Sequence, residues 1–206
     1  MTRFRHFIAA TVVASLAACS TVMPTVHSGF LSDYTALAGT PSDASASRAS
    51  ADRIDPARVS VDAVTWRVTG SVDISADERE ALLAQLRSEL QQRVQVLPAQ
   101  PEGRPAVLRA AITRVETVSP ALNTLSALLL VVPLDRGGAA VEIEAVDPQT
   151  GRQLAALTQG YFAPLSELKA RFSRLAPAEI AVRKAAADFV QLMQPVSEAG
   201  KKTALR

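Results

Sequence analysis

Ala139-Ala140-Val141-Glu142-Ile143-Glu144-Ala145-Val146, then Asp147-Pro148-Gln149-Thr150-Gly151, is the stretch whose reading decides the fold. Val141, Ile143 and Ala145 alternate with Glu142 and Glu144, the period of a strand with one apolar and one polar face. Asp147 to Gly151 carries turn chemistry, because proline presets φ and Gly151 tolerates a positive φ. Residues 152–162 then return as a second strand. A hairpin of this kind predicts a sheet with Val141, Ile143 and Ala145 facing a core, and Glu142 and Glu144 facing solvent.

Working outward, residues 107–118 read as the strand before the hairpin, with Leu108, Ala110 and Ile112 on one face and Arg109 on the other. Residues 59–68 are rich in β-branched side chains and read as another strand. Between them, Ser75-Ala76-Asp77-Glu78 is a capping box, and Leu83, Leu86, Leu90 and Val94 follow at helical spacing. A helix over 76–94 is the expectation. Leu165, Leu168, Phe172 and Leu175 suggest a short helix. Pro177 suits the first turn of a last one carrying Val182, Ala185, Phe189 and Leu192. The predicted fold class is therefore α/β, an α+β sandwich: a mostly antiparallel four-stranded sheet with helices packed on one face.

Residues 121–132 are strongly apolar, lie between Pro120 and Pro133, and are too short to span a bilayer. Asn123 suits a helix cap there. Two readings stand: a buried connection over the sheet, or an exposed segment in which Leu125, Leu128 and Leu129 meet a membrane or a partner.

The amino terminus has the anatomy of an export signal. Arg3 and Arg5 precede an apolar run of about a dozen residues ending in Leu16-Ala17-Ala18-Cys19. That ending resembles a bacterial lipobox, which implies acylation at Cys19 and a lipid bilayer as the first partner. Ser20, rather than aspartate, favours the outer membrane, with the protein facing the periplasm. The expected organisation is a signal peptide over 1–18, a lipidated tether and linker over 19–58, an α/β domain over 59–195 and a polar tail over 196–206. In the tether, Phe30, Leu31 and Tyr34 form an apolar patch, read either as a partner contact or as packing that ties the tether to the domain. Residues 39–58, rich in Ala, Ser and Asp, read as a flexible linker.

Loss of residues 1–18 removes Arg3 and Arg5, so the 22 basic residues fall to match the 20 acidic ones. A neutral chain without a basic stripe gives no support to nucleic-acid binding or to electrostatic membrane binding. Cys19 is the lone cysteine, and His27 in the tether is the lone histidine after residue 18. No Ser–His or Cys–His pair, no metal-ligand cluster and no phosphate-loop pattern follows, so no cofactor, metal or catalytic residue is expected. Glu142 and Glu144, two apart on a strand, lie roughly 7 Å from each other. That spacing suits paired carboxylates in a hydrolase. Glutamates alternating with Val and Ile are, however, the normal solvent face of a half-buried sheet, and that is the expectation here.

The patch Ser28-Gly29-Phe30-Leu31-Ser32-Asp33-Tyr34, together with Asn123, Gly137-Gly138-Ala139-Ala140-Val141-Glu142 and the Asp147 to Gly151 turn, resembles a family of proteobacterial lipoproteins, domain of unknown function 3313. The resemblance implies a lipoprotein with a strand–helix–strand core and brings no activity, cofactor or catalytic residue. Expected, then, is a non-enzymatic envelope lipoprotein that binds another envelope component. The alternative is an auxiliary subunit of a transport or secretion system, binding lipid or another apolar ligand between sheet and helices.

Overall fold

The computed structural model describes residues 21–35, 37, 45–130 and 136–194. The expected signal at 1–18, Cys19, Val131 to Pro133 and the tail at 196–206 lie outside the described residues. Elements follow in the order β1 (Ser45–Ala49), β2 (Ile54–Trp66), α1 (Ala76–Gln95), β3 (Arg104–Glu116), α2 (Pro120–Leu130), β4 (Gly138–Val146), β5 (Gln153–Phe162), a 3-10 helix (Leu165–Phe172) and α3 (Ala176–Leu192).

The strands form one sheet in the order β1-β5-β4-β3-β2. β3, β4 and β5 pair antiparallel in sequence, and β1 adds antiparallel to β5. β2 runs parallel to β3. A parallel pair needs a crossover, and α1 supplies it. The α+β architecture with helices on one face is as expected, but the sheet is mixed and gains a fifth strand. That strand and the start of β2 lie within residues 39–58, the stretch expected to be a linker. Ala and Ser carry little strand propensity on their own. The edge of β5 supplies the hydrogen-bonding partner, pairing Ser47 with Leu157 and Ala49 with Ala155.

The core lies between the sheet and the pair α1 and α3. Leu82, Leu86, Leu90 and Val94 form the buried stripe of α1, so Leu82 takes the place expected of Leu83, which is only partly buried. Ala181, Val182, Ala185 and Phe189 face them from α3, and Leu108, Ile112, Val141 and Ile143 rise from the sheet. The Ser75 cap forms as read: its hydroxyl accepts from the Glu78 N–H at 3.2 Å, and Glu78 accepts from the Ser75 N–H at 2.7 Å. Arg174 then reaches the Glu78 carboxylate at 3.1 Å, joining the start of α1 to the residues before α3. The turn after β4 also closes as expected, with Gly151 at φ 69° and the Asp147 carboxylate accepting from the Gln149 and Thr150 N–H groups.

Candidate functional site

The opposite face of the sheet is covered by the chain's own amino-terminal segment, residues 21–35 and Leu37. It joins at the end of β5, where the Phe162 N–H donates to the Thr21 carbonyl at 2.9 Å and Val22 bridges Tyr161. The segment passes so close to β5 that a Cβ on Gly160 would lie 2.1 Å from the Met23 carbonyl oxygen. Only glycine fits there. Met23 and Thr25 are buried by this approach, and Phe30 and Leu31 pack on Ala111 and Ala156.

Under this strap lie the two glutamates. β4 is central in the sheet and the strap lies across its polar face, so Glu142 and Glu144 are 1% and 0% exposed. The expectation of a solvent-facing pair is corrected. Alternation was read properly, but the second face is closed by a segment more than a hundred residues away in sequence.

Glu142 is held by that segment, and Glu144 by the segment together with β5 and β3. Glu142 accepts from the Ser28 N–H at 2.9 Å, the Ser28 hydroxyl at 2.5 Å and the Tyr34 hydroxyl at 2.8 Å. Glu144 Oε2 accepts from the Ser32 N–H at 2.8 Å, the Ser32 hydroxyl at 2.5 Å and Gln153 Nε2 at 2.9 Å. Its other oxygen lacks a well-aligned hydrogen bond but lies 3.3 Å from Arg109 Nη1, an ion pair from the neighbouring strand. Burial of an anion without such partners would cost several kcal/mol.

Aromatic groups close the rim. Arg109 sits over the Phe30 ring at 5.5 Å, and His27 stacks on Tyr34 at 4.2 Å. His27 is exposed, as read, yet not free of the domain. The Tyr34 hydroxyl also accepts from the Leu31 N–H at 3.0 Å. Burial, reinforced by the neighbouring Glu142 carboxylate, raises the Tyr34 phenol above its ordinary value.

Phe30 and Leu31 are thus engaged within the molecule, which corrects their assignment to partner contact; Tyr34 is half-buried and bonded inward. Ser28, Ser32, Arg109 and Gln153 went unrecognised in the sequence. The signal for them was slight: two serines four apart, in a patch distant from two glutamates. The array presents no carboxylate oxygen to solvent. Its chemistry is that of a clamp, holding strap to sheet by charge-assisted hydrogen bonds.

The second region read from sequence behaves oppositely. α2 is a helix, but Leu122, Leu125, Leu128 and Leu129 are exposed at 48%, 55%, 80% and 70%. Asn123 is fully buried. The reading of this segment as a buried connection is corrected. A further cleft of about 860 Å³ opens between β1 and the end of α3, lined by Ser47, Ile54, Leu154, Leu157, Asp188 and Met193 among others.

Known structures similar to this chain include the PelC dodecamer from Paraburkholderia phytofirmans, at 11% identity and a TM-score of 0.44, covering 73% of this chain and 98% of that one. A leucine-to-methionine variant of the same dodecamer, from the same organism, gives 10% identity, a TM-score of 0.44, and coverage of 74% and 98%. No curated protein matches in sequence. Over residues 26–189, which take in the strap from Val26 onward, the two glutamates it covers, α1 and most of α3, the chain matches the model for "Protein of unknown function (DUF3313)" and so belongs to that family.

Proposed function

We propose that the chain is a bacterial lipoprotein, acylated at Cys19, facing the periplasm from the outer membrane and serving a non-catalytic interaction role in the envelope. The observation that carries this reading is the start of the packed structure. Thr21, two residues after Cys19 in Leu16-Ala17-Ala18-Cys19, already accepts a hydrogen bond from the sheet. Cleavage before Cys19 would leave the contacts described between the strap and the sheet in place. Acylation there would tie the lipid to the domain by at most about 7 Å of chain. The clamp supports a non-catalytic role, since the carboxylates with hydrolase spacing are enclosed and bonded.

Two acyl chains or more give stable attachment, at about 0.8 kcal/mol for each buried methylene. The test is an intact-mass measurement of the protein purified from membranes, beside the Cys19→Ala variant. The expected result is a diacylglycerol-bearing amino-terminal Cys19 in the parent and none in the variant. A parent whose Cys19 is unmodified overturns the lipoprotein reading.

The reading as a carrier of an apolar ligand draws on the cleft between β1 and α3. The space between sheet and helices is filled by Leu86, Leu90, Leu108, Ile143 and Phe189. That leaves the edge cleft, whose lining mixes Ile54 and Leu157 with Asp52, Arg53 and Asp188. An amphiphile copurifying with the protein and displaced by Leu157→Trp would favour that second role.

A further inference from the structure

The helix α2 turns an apolar face to solvent. At 100° per residue, Leu122, Leu125, Leu128 and Leu129 fall within one face, and Asn123 falls opposite them. Exposure follows the wheel: Asn123 is enclosed and the four leucines are in solvent. Soluble helices bury their apolar stripe, so a helix with four leucines in solvent needs something apolar to cover them. α2 carries no charged residue. A cover recognised by charge is therefore not what this surface fits.

Its position says what the cover is. β3 ends at Glu116, which pairs with Gly138 at the start of β4, and Gly138 pairs with Phe162 at the end of β5. Phe162 in turn bonds Thr21. α2 leaves β3 a few residues after Glu116 and packs on the 3-10 helix that follows β5. The end of β3 from which α2 departs and the point where the chain continues toward Cys19 thus lie at the same end of the sheet, roughly two strand spacings apart, about 10 Å. A chain anchored by acyl groups within two residues of Thr21 brings that end of the domain against the bilayer.

We infer that α2 is a second, protein-borne membrane contact, lying in the lipid interface beside the acyl anchor with Leu122, Leu125, Leu128 and Leu129 among the acyl chains. The inference rests on the lipoprotein reading above. Its 11 residues make a rod of about 16 Å. That is too short to span a core of roughly 30 Å, and it suits an interfacial helix buried about 5–10 Å deep. Two contacts at one end would fix the orientation of the domain, with the β3–β4 end down and the Asp147 turn pointing away from the membrane.

The test uses the acylated protein in vesicles of phosphatidylethanolamine and phosphatidylglycerol. With Cys19 blocked by lipid, Leu125→Cys or Leu128→Cys supplies a unique thiol for an environment-sensitive dye. Val96→Cys is the control: Val96 is exposed and lies beside the connection to the opposite end of β3. Expected are a blue shift at 125 and 128, strong quenching by spin-labelled lipids, and iodide quenching several-fold weaker than at 96. The pattern should hold at high salt, since no charge takes part. Iodide quenching equal at all three sites overturns the inference. So does shielding from iodide without lipid quenching, which would assign the leucines to a second protein copy. Flotation with the vesicles and the mass of Cys19 report on the anchor separately, so failure of α2 to insert is distinguishable from failure of the lipoprotein reading.

Discussion

If the clamp holds the strap, replacing both Ser28 and Ser32 by alanine should loosen the amino-terminal segment and destabilise the whole domain. Each hydroxyl donates to a buried carboxylate at 2.5 Å, and the two serve different glutamates. A hydrogen bond to a charged group contributes about 1.5–3 kcal/mol. The backbone N–H groups of both serines keep their bonds, so neither carboxylate is stripped. The double variant should therefore lose about 3–6 kcal/mol, a large share of the roughly 5–15 kcal/mol typical of a domain. At about 2–4 °C per kcal/mol for a chain of this size, Tm should fall by roughly 6–24 °C. Urea and thermal melts of the parent, both single variants and the double variant measure this directly. Thr35→Ala is the control: its hydroxyl bonds Asp33 at the surface, and its loss should change stability by no more than about 0.5 kcal/mol. Hydrogen exchange at the Leu31 and Ser32 amides should rise in the double variant more than exchange in α1. A double variant as stable as Thr35→Ala would refute the clamp.

Gly160→Ala puts a Cβ 2.1 Å from the Met23 carbonyl, so strap and β5 must part; a loss of about 1–3 kcal/mol and faster proteolysis within residues 21–28 are expected. The pairing with Arg174, followed by the Ser75 N–H bond, holds Glu78 down at about 2, against 4.5 for the free group. A lowered folded value means this stabilisation is complete above pH 4.5 and is lost as pH falls toward 2. Urea midpoints measured across that window should drop more steeply with acid in the parent than in Arg174→Ala, and parallel curves would show that the ion pair contributes nothing.

Period and capping made the sheet and the main helices legible. The alternation over Val141 to Ala145, the turn at Asp147 and the Ser75–Glu78 box are local, and each formed as read. β1 was not legible because its sequence resembles a linker; its strand conformation comes from the edge of β5. The parallel register of β2 with β3 was likewise hidden, because period shows which face is buried and not which direction a neighbour runs.

The two sites divide in the same way. Sequence alone determined the apolar hairpin face, the capped helix and the apolar, uncharged character of residues 121–132, because each depends on residue type and short-range spacing. Tertiary structure decided that Glu142 and Glu144 are sealed, that Phe30 and Leu31 face inward, and that Leu122, Leu125, Leu128 and Leu129 of α2 face outward. Those outcomes depend on what covers a face. The cover of the glutamates is a segment more than a hundred residues distant, and α2 has its buried Asn123 where a core helix would place leucine.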